Sequence, residues 1–561
     1  MNRRVLLAAL AVTAACSSAP TAPAGPVPLA QLPNINTANV LNDIRKLSSD
    51  EFAGRAPGGA GEPLTVTYLV DQFKAAGLQP GNPDGSWTQK VPLVGVTPEF
   101  SGPLVVKKGG ATHTFKVHDE FVPFSEQVTD QITLSNSDIV FVGYGVQAPE
   151  FQWDDYKGVD VKGKTIVMLV NDPPMPDPSN PSALDPKLFG GAAMTYYGRW
   201  TYKYEKAAEL GAAAAIVVHD TAQAGYPFNV VQGFGGERFG LITPDKNMGR
   251  AKVQSWISAE AAVRLFQLGG QDFKALKAKA ASRDFTPVSL GLTASFSIKQ
   301  KMRQIESQNV LAKLPGADPA LANEYVVYSA HWDHLGIGDP KNGDTIYNGA
   351  ADNASGTATM LELARVMKTL NPAPKRSILF LAVTAEEQGL LGSHYYAELP
   401  LYPLTRTVAN INLDDNMPLY GRTKDIIVVG LGASDLDDYL RAAAGEQGRV
   451  LVPDAEPEKG FYYRSDHFNF AKSGVPALST DAGIDYVGKP ADFGKKKKEE
   501  YTANDYHSPS DVVKDDWELS GLAEQAKLLM AVGYRVAQAD KVPEWKPGNE
   551  FKAIREKSLA K

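Results

Sequence analysis

The chain has one cysteine in 561 residues, no excess of basic charge and only eight histidines. A lone thiol, Cys16, leaves no partner for an internal disulfide, so stability must come from burial and from any bound metal. It also excludes a thiolate metal cluster. The net charge of −7 gives no reason to expect nucleic acid as a partner. Beyond the first thirty residues no apolar run reaches the roughly 18 residues that a membrane-spanning helix needs, so the body reads as globular and water-exposed. At this length a single core is not expected, and two or more domains are.

Arg3 and Arg4 precede an apolar stretch from Val5 to Ala15 that is too short to span a bilayer, and this reads as a targeting segment over residues 1–16. Cys16 after Thr13-Ala14-Ala15, followed by a Ser/Ala/Pro/Thr-rich stretch, resembles a bacterial lipoprotein signal, although Thr13 stands where leucine is usual. The expected location is therefore the periplasm or cell envelope, reached by export, with a lipid on Cys16 or simple secretion. Residues 17–35 are expected to be a flexible tether. The lysine run Lys495–Lys498, followed by Glu499 and Glu500, reads as a solvated loop.

Helical spacing marks Thr37 to Leu47 and Pro63 to Leu78. From about Phe100 short β-rich runs follow, among them Ile139 to Gly145, Thr165 to Val170 and Gly211 to Val218, with helices near 202–210 and 259–268. After Asn309 strands and helices alternate: Val326–Ala330, Ala354–Leu370, Ile378–Val383, Leu391–Leu399, Val408–Leu413, Ile426–Val429, Leu436–Ala444, Val475–Ser479 and about 518–537. This predicts an α/β fold, a mixed, mostly parallel central sheet flanked by helices. The first two helices lack a sheet of their own, so the middle region reads as an insertion. The expected division is 36–125 and 296–545 as one discontinuous domain, 126–295 as the insertion and 546–561 as a C-terminal tail.

In open α/β sheets ligands bind beyond the carboxyl ends of the strands, so the residues after each apolar run are the candidates. They are His331-Trp-Asp333-His334, Asp352 within Asn348-Gly-Ala-Ala-Asp-Asn-Ala-Ser-Gly356, Glu386-Glu387, Asp414-Asp415 and, from a later loop, His507 in Tyr506-His-Ser-Pro-Ser-Asp511. Singly each has a bland reading: a surface histidine, an N-cap, a solvated first turn. Together on one rim they read as a metal site. Imidazole with carboxylate suits zinc, with manganese or cobalt as alternatives. Two histidines and three carboxylates exceed one open zinc site and suit two ions sharing a carboxylate, with a further carboxylate left over as a base.

The ordered set H-x-D, G-A-x-D-N-x-S-G, E-E, N-x-D and Y-H-x-P-S-D resembles the M28 family of co-catalytic zinc peptidases, over roughly 36–100 and 300–540. The resemblance implies two Zn²⁺ per chain held by His331, Asp352, Glu387, Asp414 and His507, with Asp352 bridging. It implies Glu386 as the general base. Methionine is more usual than Asp415 after the aspartate ligand; Asp414 is taken as the ligand. Asp333 is expected to accept the second ring hydrogen of His331 and fix its tautomer, whereas His334 is left as either structural or supporting. Ser465-Asp466-His467 resembles a segment near the substrate pocket. The middle region resembles a protease-associated (PA) domain, carried by Ile139–Gly145, Asp154–Lys164 and Ala207–Val218, which would shape the substrate cleft; His219 and Asp220 within it are read as structural.

The function implied is that of an exported aminopeptidase acting on peptides. The rivals are a carboxypeptidase or dipeptidase for acidic peptides, an aminoacyl cyclase, which would run on one metal, and a metal-free receptor. A carboxypeptidase needs a cationic clamp, and near the motifs only Arg464 offers itself.

Overall fold

The structure is a computed structural model that describes residues 27–100, 102–232, 237–414 and 418–560. Cys16, the leader, most of the expected tether and Asp415 lie outside the described residues.

Seven neighbouring strands of one larger sheet carry the candidate rim. Their order is 450–453, 425–429, 477–482, 407–412, 325–331, 377–383 and the distal half of Val288–Leu314. The central strands Tyr325–His331, Ser377–Val383 and Thr407–Asn412 are mutually parallel and wholly buried, as their unbroken apolar runs require. Helix Thr37–Leu47 packs Val40, Ile44 and Leu47 inward, and Asn36 caps it by accepting from the N–H groups of Ala38 and Asn39. Helix Gly356–Met367 and helix Ser520–Gln538 are buried along most of their length, which makes them the central supports of that face.

Val288–Leu314 is a single strand of 27 residues that stitches the two halves together. Its distal end pairs antiparallel with Ser377–Val383, and its middle pairs antiparallel with Thr88–Phe100. Its first part pairs with Gln131–Phe141, beyond which lie the parallel strands Thr165–Leu169, Ala214–Val218 and Val253–Ile257. The strands Leu104–Lys108 and Phe121–Phe124, placed by sequence with the first helices, pair instead with the 288–314 and 253–257 strands, so they belong to the middle layer.

Three further expectations are corrected. Residues expected to be tether are packed from Leu29 onward, with Leu29, Leu32 and Ile35 buried against the core and the Leu29 N–H bonded to Glu446 at 2.7 Å. The expected tail, 546–561, is likewise folded on: Phe551 is buried, and Arg555 donates to the carbonyls of Leu404 and Thr407. The lysine run is part of helix Phe493–Asn504, where Lys497 pairs with Asp516 and Lys498 with Asp481, each at 2.9 Å. Opposite-sign partners on neighbouring elements gave those lysines a folded use that composition alone does not reveal. Among the described residues no helix is long and apolar enough to cross a membrane.

Candidate metal centre

The ends of the three central strands, with the loops at 348–356 and 505–511, bring His331, Asp352, Glu386, Glu387, Asp414 and His507 to one cleft of about 540 Å³. The donors fall into two groups that share Asp352. Around its Oδ1, His331 Nε2 lies at 3.3 Å, and that same nitrogen is 3.0 Å from Asp414 Oδ1. Around its Oδ2, His507 Nε2 lies at 3.3 Å and is 3.0 Å from Glu387 Oε2. Donors bound tetrahedrally at about 2.0–2.1 Å from zinc are separated by about 3.3 Å, so both groups have the spacing of ligands around an ion. His334 joins the second group: its Nδ1 is 2.6 Å from Glu387 Oε1 and 4.0 Å from Asp352 Oδ2. That 2.6 Å approach is not a hydrogen bond, and both atoms are buried without a hydrogen-bond partner, as expected of two donors that need a shared cation. The residues fit a pair of zinc ions.

Electrostatics point the same way. Burial opposes charge on His331, but Asp414, Glu386 and Asp352 outweigh it and raise its pKa well above the usual imidazole range. Burial likewise opposes charge on His507, yet Asp352 and Glu387 push it up to about 10. Glu386 is held well above the ordinary carboxyl range by burial and by Asp414, Glu387 and Asp466, with His331 working against them. So much buried negative charge calls for compensating cations.

The supporting groups are specific. The Nδ1 of His331 lies 3.1 Å from the main-chain oxygen of Asp333, while the carboxylate is 3.8 Å away. Sequence assigned that ring hydrogen to the carboxylate; the carbonyl takes it, because two residues beyond a strand end the backbone already reaches the ring. The Asp333 carboxylate accepts instead from the N–H of Glu386 at 3.1 Å. Burial raises its pKa to about 8, with His331 opposing. Asp511 accepts from the N–H groups of Ala351 and Asp352 at 3.0 and 3.1 Å and so fixes the bridging loop. Gly356 is required where that loop meets the next strand end, since a Cβ there would lie 2.4 Å from the Leu413 oxygen. The Asp352–Asn353 peptide bond is cis.

Two contributors have roles that the sequence does not spell out: Arg55 carries no signal of its own, and Ser465 is marked only as part of a pocket-side segment. Arg55, fully buried, donates to the carbonyls of Trp332, Leu47, Asn348 and Gly349 at 2.7–2.8 Å, tying both ligand loops to the first helix. The Ser465 hydroxyl donates to Asp414 Oδ2 and accepts from Asn412 Nδ2 at 2.7 Å, which leaves Oδ1 facing His331. Asp466 is buried and bonded to Ser393, and His467 lines the cleft. In the middle layer, His219 is packed among Tyr226, Phe228 and Trp256, and Asp220 caps a short helix and pairs with Lys277 at 2.5 Å.

Fold and site together define an α/β protein with a two-metal donor set at the carboxyl ends of a parallel sheet. The model of Peptidase family M28 matches residues 309–532 of this chain. Aminopeptidase NAALADL1 of Mus musculus is 38% identical over 174 residues, 27% of this chain and 22% of that protein. Aminopeptidase YwaD of Bacillus subtilis is 26% identical over 362 residues, covering 63% of this chain and 64% of its own. The chain thus spans about a fifth of the first relative and under two thirds of the second. Among solved structures, an aminopeptidase from Aneurinibacillus sp. strain AM-1 matches at 20% identity with a TM-score of 0.44, over 91% of this chain and 96% of that one.

Proposed function

We propose that the chain is an exported exopeptidase with two zinc ions per chain, an aminopeptidase that removes N-terminal residues from peptides. The observation that carries this is the division of the Asp352 carboxylate, one oxygen toward His331 and Asp414 and the other toward His507, Glu387 and His334. Similarity to aminopeptidases of family M28 supports it. The retention of every donor favours an enzyme over a metal-free receptor, and both groups being complete favours two ions over the single metal of a cyclase.

His331, Asp352 and Asp414 would hold one ion, and Asp352, Glu387 and His507 the other, with His334 against Glu387. Zinc so held supplies Lewis acidity and acidifies water. The chain's own part is then to orient and to move protons. Glu386 sits over the His331 side, its Oε2 4.0 Å from Nε2, and serves as the general base that takes a proton from the attacking water and returns it to the departing amine. Asp333 steadies Glu386 through its N–H, and the carbonyl of Asp333 keeps the proton of His331 on Nδ1 so that Nε2 is free as a donor to metal. Ser465 presents Asp414.

In this reading the middle layer is a PA domain that walls the cleft; Gly225 and Tyr226 already reach it. Export and lipid attachment rest on the leader and Cys16, and metabolic labelling with a radioactive fatty acid tests them in wild type against Cys16→Ser. The function itself is tested with a panel of aminoacyl arylamides, amino-blocked peptides and dipeptides, with and without a chelator. Chelator-sensitive cleavage of substrates with a free amine, abolished in Glu386→Gln with metal content intact, is the expected result. Cleavage of amino-blocked peptides alone would overturn the aminopeptidase reading.

A further inference from the structure

The two adjacent glutamates of the site sit in a turn whose backbone is strained. Residues 384–390 link strand Ser377–Val383 to helix Leu391–Glu398, and two of them, Ala385 at φ 53° and Leu390 at φ 61°, are non-glycine residues in the left-handed region. A side chain there costs free energy, and the conformation persists only where the surroundings over-determine it. The turn closes on its own carbonyls: the N–H groups of Gly389 and Leu390 both reach the Glu386 oxygen at 2.8 Å, and the N–H of Leu391 reaches that of Ala385 at 3.0 Å.

Side chains from two other segments clasp it. On one flank Asn309, fully buried on strand Val288–Leu314, accepts from the Thr384 N–H at 3.1 Å and donates to the Gly392 carbonyl at 3.0 Å, so a single amide spans the turn from end to end. An added Cβ on Gly392 would lie 2.6 Å from Asn309 Oδ1 and 2.2 Å from the Thr384 oxygen, so glycine there lets the helix start this close to the strand end. On the other flank the segment that opens helix His467–Lys472 takes hold. Ser393 Oγ donates to Asp466 Oδ1 at 2.5 Å, and Asn469 Nδ2 donates to Ser393 Oγ at 2.9 Å and to the Leu390 carbonyl at 3.1 Å. Asp466, Ser393 and Asn309 are all sealed from solvent, where the loss of a hydrogen bond leaves its partner unsatisfied. Asp466 directly follows Ser465, the residue that orients Asp414, so one short stretch of chain governs both a candidate metal donor and the turn that carries Glu386.

We propose that Asp466, acting through Ser393, and Asn309 are positioning residues for Glu386. They hold the 384–390 turn in its left-handed conformation, so that Glu386 faces His331 while Glu387 faces His507 and His334. None of the three lines the cleft, so their effect on turnover runs through the turn. This rests on the reading of Glu386 as the general base and accounts for how the fold aims it.

The test uses the full-length, zinc-loaded protein with leucyl arylamide as substrate. Ser393→Ala, which removes one hydroxyl, and Asn309→Ala are expected to lower kcat about 10- to 100-fold with KM within about threefold of the wild type and zinc content unchanged, because a misaimed base slows the chemical step without weakening binding. Asp466→Asn keeps an oxygen for the Ser393 hydroxyl and should stay within about threefold of the wild-type kcat, whereas Asp466→Ala should match Ser393→Ala. The double variant Asp466→Ala/Ser393→Ala should be no slower than either single one, as two ends of one hydrogen bond require. Where Asp466→Ala or Asn309→Ala does not fold, Ser393→Ala and Asp466→Asn carry the test. A kcat within about twofold of the wild type in Ser393→Ala, or a fall in zinc content that accounts for the lost turnover, would overturn the clasp. So would a loss in Asp466→Asn as large as in Ser393→Ala, which would place the effect in the charge and not in the hydrogen bond. If the wild type cleaves no aminoacyl substrate, the exopeptidase reading fails on its own, and deuterium uptake by the 384–393 segment then decides. Uptake at least about tenfold faster in Ser393→Ala than in the wild type supports the clasp, and equal uptake overturns it.

Discussion

The ring of His331 is held by the backbone of Asp333, Nδ1 to carbonyl at 3.1 Å, while the side chain of the same aspartate turns to the N–H of Glu386. On the proposed function, one residue thus steadies a metal ligand with its main chain and the general base with its carboxylate. Replacement of the side chain should separate the two effects. Asp333→Asn is expected to lower kcat by about 10- to 100-fold while zinc content stays at the wild-type value. Loss of zinc without a change in turnover per bound ion would show that the carboxylate serves His331 after all.

Arg55 predicts a stability effect out of proportion to its distance from solvent. Its guanidinium satisfies four carbonyls from three segments. Arg55→Met leaves these oxygens buried without donors, at about 1–3 kcal/mol each in the worst case. A loss of at least about 3 kcal/mol in urea unfolding is expected. A change under about 1 kcal/mol would mean that the ligand loops are held by other contacts.

Glu550 ties the C-terminal segment to the rest, accepting from Tyr463 Oη at 2.7 Å and from the Tyr196 N–H at 3.0 Å. Burial raises its pKa from 4.5 to about 8. Between those values the folded chain keeps a proton that the unfolded chain has released, so stability falls as pH rises through this window. Glu550→Gln keeps an acceptor and cannot ionise. Its melting temperature should therefore drop less than that of the wild type between about pH 5 and pH 8. Parallel curves for the two proteins would contradict this.

The folded C-terminus gives a further test. Phe551 is buried, its ring centre 5.5 Å from that of Trp545. Phe551→Ala should cost about 3–5 kcal/mol, the usual range for a buried aromatic. An unchanged unfolding midpoint would return residues 546–561 to the status of a tail.

Much of this was legible before any coordinates. Unbroken runs such as Ile378–Val383 announce buried parallel strands, and a rule about strand ends then picks out His331, Glu386, Glu387 and Asp414. Asp352 and His507 join that set from loops beside the strand ends, and the family resemblance implies their roles as ligands. The remainder was hidden for physical reasons. Arg55 works by donating to backbone carbonyls, which have no residue signature. Ser465 is marked in the sequence only as part of a pocket-side segment, and its hold on Asp414, 51 residues away, is a matter of tertiary geometry. The role of Asp333 was misassigned because main chain and side chain both lie within reach of one ring, and only geometry chooses. The lysine run at 495–498 looks solvated until Asp481 and Asp516 are seen opposite it.

The central claim is that Asp352 bridges two zinc ions, and elemental analysis of the purified chain addresses it most directly. About two zinc per chain in the wild type, falling below one in Asp352→Asn because both groups lose a donor, is the predicted result. A single zinc per chain, unchanged by Asp352→Asn, would contradict it.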